Sequence, residues 1–123
     1  MATTQMTGKS FEEIVASNDI VLIDFWAAWC GPCRSFAPTY EKVAEEFLDF
    51  VFAKVDTEAE QSLAASFNIM SIPTLMIIRE NVVLYSQAGA LPERALVELV
   101  EKVRDLDMQE VHRQMLKQQS ANS

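Results

Sequence analysis

Residues 20–38 read IVLIDFWAAWCGPCRSFAP. The run from Ile20 to Trp26 is nearly continuous in β-branched and aromatic residues, broken by one aspartate, Asp24. Such a run predicts a strand covered on both faces, central in its sheet. Both cysteines of the chain follow, Cys30 and Cys33, with only Gly31 and Pro32 between them. Over about residues 33–48 apolar side chains (Phe36, Tyr40, Val43, Ala44, Phe47) recur near helical period, which predicts a long amphipathic helix. Pro38 is expected to kink that helix, because it removes one backbone donor and crowds the preceding turn. The cysteine pair therefore falls at a strand-to-helix junction.

Working outward, SFEEIVAS places Ser10 and Glu13 in capping-box spacing and predicts a short helix from near Phe11. FVFAKV, residues 50–55, reads as a second strand, and EAEQSLAASF, residues 58–67, as a short helix with Leu63 and Phe67 turned inward. TLMIIRENVVLYS, residues 74–86, reads as a hairpin turning at Glu80 and Asn81, with the turn type open because no glycine follows the asparagine. Pro92 precedes ERALVELVEKVRDL, residues 93–106, whose leucines and valines step by three and four and predict a last core-packed helix. Strands alternating with helices, followed by an antiparallel pair, indicate a mixed α/β sandwich. No linker or repeat divides residues 1–106. Residues 107–123, DMQEVHRQMLKQQSANS, are expected to be a helical and polar extension, frayed from the last helix and partly disordered.

The chain has 123 residues, half of them hydrophobic, enough for one domain with a core that needs no disulfide reinforcement. Eighteen acidic against ten basic side chains give a net charge of -8, which disfavours nucleic acid and anionic membrane surfaces as partners. Neither a signal-like apolar run nor a stretch of membrane-spanning length is present, so the expected setting is the cytoplasm. In that compartment two closely spaced cysteines point to catalysis or metal rather than to a structural staple, whose short loop would constrain the unfolded chain little.

At a helix start, unpaired backbone donors and the helix dipole stabilise an anion, so Cys30 is expected to form a thiolate near neutral pH. That thiolate can attack a disulfide, and Cys33, one turn later, is close enough to resolve the mixed disulfide. Pro32 limits the conformations of the turn, and Gly31 leaves the approach to Cys30 open. A zinc or iron–sulfur site would need ligands this chain lacks. There is no third cysteine, and the single histidine, His112, lies in the polar tail as an expected solvated residue. Only an interchain site would remain. No metal or bound cofactor is expected, since the sulfurs themselves hold the electrons.

WCGPC, residues 29–33, resembles the active site of the thioredoxin family, and the signal is specific in its setting: DFWAAWCGPC after a buried strand, a proline-interrupted helix, and SIPT at residues 71–74. The resemblance runs over about residues 10–106. It implies the thioredoxin fold, a central mixed sheet of four to five strands with helices on both faces. Cys30 matches the exposed attacking thiol and Cys33 the buried resolving thiol. Asp24 matches a buried carboxylate whose pKa should rise into the range useful for moving a proton to or from Cys33. Lys54 matches the lysine beside it, and Pro73 a cis-proline opposite the cysteines. Trp29, Gly31, Pro32, Ile72, Pro73, Ala88 and Gly89 should form the surface on which a polypeptide docks, with backbone pairing through Ile72 and Trp29 as its main anchor. Trp26 is expected to support the loop from beneath.

The chain departs from the family pattern in a thin first strand (TTQM), in Ala28 and Arg34 beside the cysteines, and in Thr57 and Ser71 on the docking surface. The implied activity is that of a monomeric protein-disulfide reductase acting on oxidised proteins and recharged by a thioredoxin reductase using NADPH. The competing reading is a binding or assembly module of the same fold in which redox is incidental.

Overall fold

A computed structural model describes residues 2–121. The elements follow in the order β1 (Thr3–Gln5), α1 (Phe11–Ser17), β2 (Ile20–Trp26), α2 (Gly31–Glu46), β3 (Val51–Asp56), α3 (Gln61–Ser66), β4 (Thr74–Arg79), β5 (Val82–Ala88), α4 (Glu93–Asp105) and α5 (Met108–Ala121). The five strands form one sheet in the order β1-β3-β2-β4-β5. β1, β3 and β2 are parallel, whereas β4 runs antiparallel to β2 and β5 to β4. The strand of residues 20–26 is thus central, as its unbroken apolar run predicts.

Alternation along the strands divides the core between two faces. Leu22, Phe52, Leu75 and Ile77 pack with Phe36 and Tyr40 of α2 and with Leu96 and Val100 of α4. Ile23, Phe25, Val55 and Met76 pack on the other face with Val15 of α1 and Ala64 of α3. Pro38 lies within α2 without ending it. Tyr40 is fully buried and donates to the Ala53 carbonyl at 2.8 Å, which ties α2 to β3. β1 is only three residues long, the shortened edge its sequence predicts.

Two local features differ from the sequence reading, and the turn type it left open is defined. The expected capping box of Ser10 and Glu13 does not form. Ser10 already has helical dihedrals, and a reciprocal pair forms one turn earlier: Ser10 N–H donates to Thr7 Oγ1 (3.2 Å) and Thr7 N–H to Ser10 Oγ (2.9 Å). Glu80 and Asn81 both adopt positive φ (52° and 64°), so the hairpin turn is of the I′ kind, with asparagine tolerating the left-handed region in place of glycine. Residues 107–121 do not continue α4. Leu106 is extended, and Asp107 Oδ1 accepts from Gln109 and Glu110 N–H to cap α5 as a separate helix. His112 remains a surface residue as expected, half-exposed, and contacts Glu80 of the hairpin turn at 2.8 Å. The last part of the expected disordered end, residues 122–123, lies outside the described residues.

Candidate active site

β2 ends at Trp26 and α2 begins at Gly31, so Cys30 is the N-cap residue of α2. Its extended dihedrals (φ -85°, ψ 114°) turn the side chain back over the first turn, where Sγ accepts from Cys33 N–H at 3.2 Å. A sulfur in that position takes the place of the oxygen that usually caps a helix and receives the positive end of the dipole. Pro32 falls in the first turn, where a missing N–H costs nothing. Cys30 and Cys33 are joined in a disulfide, with Cα atoms 5.2 Å apart. Cys33 is buried as expected, but Cys30, expected to be exposed, is buried as well, because Ala27, Trp26 and Ile72 pack around the closed disulfide.

Behind the pair, Asp24 is wholly buried, and neither carboxylate oxygen has a hydrogen-bond partner among the described residues. Burial raises its pKa from 3.8 to about 7, with the Lys54 ammonium pulling in the opposite direction. Register explains the pairing, since Asp24 and Lys54 face each other across the parallel β2–β3 ladder. Lys54 is half-buried, and its Nζ lies 5.1 Å from the centre of the Trp26 ring. Trp26 underlies the loop as expected, and its buried Nε1 also lacks a partner.

Across from the cysteines the Ile72–Pro73 peptide is cis. The Ile72 carbonyl oxygen lies 3.7 Å from Cys30 Sγ, and the Pro73 carbonyl accepts from Gly89 N–H at 2.8 Å. Gly89 has φ 112°, a backbone region that favours glycine, and Ala88 is paired with Thr74 at the end of β5. Trp29 is 67% exposed, its Nε1 donating to Glu58 Oε1 at 2.7 Å. Gly31 is half-buried and Pro32 exposed. A cavity of about 190 Å³ connects Trp29 to Ile69, Met70, Ser71 and Ile72, and a second of the same size connects Met70 and Ser71 to Ala88. The structure thus brings Trp29, Ile72 and Ala88 onto one rim, continuous with Pro73 and Gly89. Sequence reasoning missed Met70 on this rim, 91% exposed. A large apolar residue just before SIPT, preceded by an asparagine able to reverse the chain (Asn68, φ 55°), was the available signal.

No helix among the described residues is long and apolar enough to cross a membrane. The family model for thioredoxin matches residues 2–102. A Streptomyces coelicolor protein named thioredoxin 2 is 53% identical over 97% of this chain and 89% of its own length. Among solved structures, thioredoxin F from spinach chloroplast superposes with a TM-score of 0.77 at 38% identity, covering 84% of this chain and 94% of that one. The thioredoxin f2 chain solved in complex with ferredoxin:thioredoxin reductase reaches a TM-score of 0.77 at 31% identity, covering 84% and 96%. Sheet order, cysteine spacing and these matches agree: the chain belongs to the thioredoxin family, and its chemistry is thiol–disulfide exchange.

Proposed function

We propose that Cys30 is the attacking and Cys33 the resolving sulfur in the reduction of disulfides of other polypeptides. In the reduced protein the Cys30 thiolate attacks one sulfur of the target, forming a new S–S bond as the old one breaks and the first target sulfur leaves as thiolate. Cys33 then gives up its proton and attacks Cys30 Sγ, which releases the second target sulfur. Two electrons pass from the protein's dithiol to the target, and the protein is left with its internal disulfide. Asp24 is the group that takes and returns the Cys33 proton, since a carboxyl with a pKa of about 7 is divided between both states at neutral pH. Lys54 keeps that value from climbing further.

The observation that carries this reading is the conjunction at one junction of Cys30 Sγ capped by Cys33 N–H and a buried carboxylate without a partner. The target docks on Trp29, Gly31, Pro32, Ile72, Pro73, Ala88 and Gly89, with its backbone paired to Ile72. Residues 1–106 act as the redox domain and residues 107–123 as its appendage. The working setting is the cytoplasm, where a monomer transports electrons from a thioredoxin reductase drawing on NADPH to oxidised proteins. Insulin reduction with dithiothreitol tests the assignment. Cys30→Ser is expected to be inactive, and Cys33→Ser to accumulate protein–insulin mixed disulfides. A wild-type rate from Cys30→Ser overturns the assignment of the nucleophile.

A further inference from the structure

A cavity of about 250 Å³ opens beside Cys33, with Trp29 outside its lining. Its walls are Trp26, Ala28, Ala37 and the edge of Cys33, and two cations, Arg34 and Lys54, form its lip. Among the described residues the Arg34 guanidinium is anchored by one hydrogen bond, from Nη1 to the Ala28 carbonyl at 2.8 Å. Its Nη2 lies 4.0 Å from where a Cβ on Gly31 would stand, so the planar head lies over the active-site turn. In a chain with eighteen acidic side chains, neither Arg34 nor Lys54 forms a salt bridge among the described residues. Arginines at 79, 94, 104 and 113 all have carboxylate partners. Beside Trp29 the sign reverses, because Glu58 accepts from the Trp29 indole.

We infer that this cavity is a recognition site for a glutamate side chain of the polypeptide whose disulfide is reduced. The inference rests on the exchange reaction proposed above and adds a preference among its substrates. The apolar floor of alanines and indole suits the methylenes of glutamate, and the free edge of Arg34 offers a two-pronged partner to its carboxylate. Glu58 repels the same carboxylate beside Trp29, so the preference has a direction: a glutamate accelerates reduction on one side of the attacked cysteine and not on the other.

The test uses fluorescent cyclic disulfide peptides carrying Glu, Gln or Lys at one to three residues on either side of the attacked cysteine. They compete in pairs for the full-length protein with dithiothreitol as reductant. The Glu peptide of the favoured flank is expected to exceed its Gln counterpart about tenfold in kcat/KM, with the ratio falling towards one as salt is raised. Arg34→Gln should abolish the ratio, Arg34→Lys should keep part of it, and Arg34→Glu should transfer the preference to the Lys peptide. Because only ratios are read, a general loss of activity in a variant does not imitate the result, and the salt series on the wild type needs no variant. Equal reduction of all peptides by the wild type overturns the recognition site and leaves the exchange reaction standing. Reduction of none of them overturns both.

Discussion

The two ends of the central sheet treat buried polarity in opposite ways. At the end where β2 leads into α2, Asp24 and Trp26 Nε1 account for every partnerless buried side-chain polar atom among the described residues. At the other end, where β4 turns into β5, polar groups are paired. Arg79 Nη1 donates to the Val103 carbonyl at 2.8 Å and to those of Arg104 and Leu106 at longer range, and its remaining nitrogens reach Asp19. His112 meets Glu80, and the Arg104 guanidinium lies about 5 Å from the Phe47 and Phe50 rings. Unsatisfied buried groups cost stability, so one end is strained by its chemistry while the other joins three carbonyls, two helices and a hairpin. Stability and reactivity are located four ladder positions apart, since Asp24 pairs with Leu75 of β4 and Arg79 ends the same strand beside Ile20.

The contrast can be broken most sharply at Asp24. A carboxyl whose folded pKa is about 7 against 3.8 unfolded keeps its proton longer in the native state, so wild-type stability falls as pH rises from about 4 to about 7 and is level above that. The total loss is roughly 4 kcal/mol. Asp24→Ala removes this slope, and the unfolding free energies of the two proteins from urea denaturation should diverge in the variant's favour by about that amount between pH 4 and pH 8. Parallel pH profiles would mean that Asp24 is not destabilised by burial.

At the opposite end the sign reverses. Arg79→Ala leaves the last carbonyls of α4 without their donor and should destabilise the protein by about 2–3 kcal/mol, with amide exchange in α5 accelerating before that in β2. Tyr40→Phe, between the two ends, deletes one buried hydrogen bond to Ala53 and should cost about 1 kcal/mol by denaturation. The smallest effect belongs to His112→Ala. Its bond to Glu80 is half-exposed and should contribute under about 1 kcal/mol, leaving insulin reduction unchanged.

Much of this was legible in the sequence because period and burial coincide. The apolar run at residues 20–26 could only be a central strand, and the 3.6-residue recurrence after Cys33 could only bury one helix face. Asp24 was legible as a misfit, a carboxylate in a strand with no exposed face. The cap at Thr7 was not, because the pairs Thr7/Ser10 and Ser10/Glu13 share the same spacing and overlap at Ser10, and only the turn geometry chooses between them. The break before α5 had a signal, Asp107 followed three residues later by Glu110, but amphipathic spacing continues across it and masks the stop. The Arg34 cavity depends on what Ala28 and Ala37 leave empty, which no linear pattern reveals.

The direct test of the contrast between the two ends is an NMR titration of the Asp24 side-chain carboxyl carbon, followed from pH 3 to pH 10 in the protein with its Cys30–Cys33 disulfide closed. The account predicts a midpoint near 7, set by burial without a hydrogen-bond partner and moderated by Lys54. A midpoint close to 4 would contradict it, since a carboxylate that ionises like a solvated one could neither strain the fold nor hold a proton for Cys33.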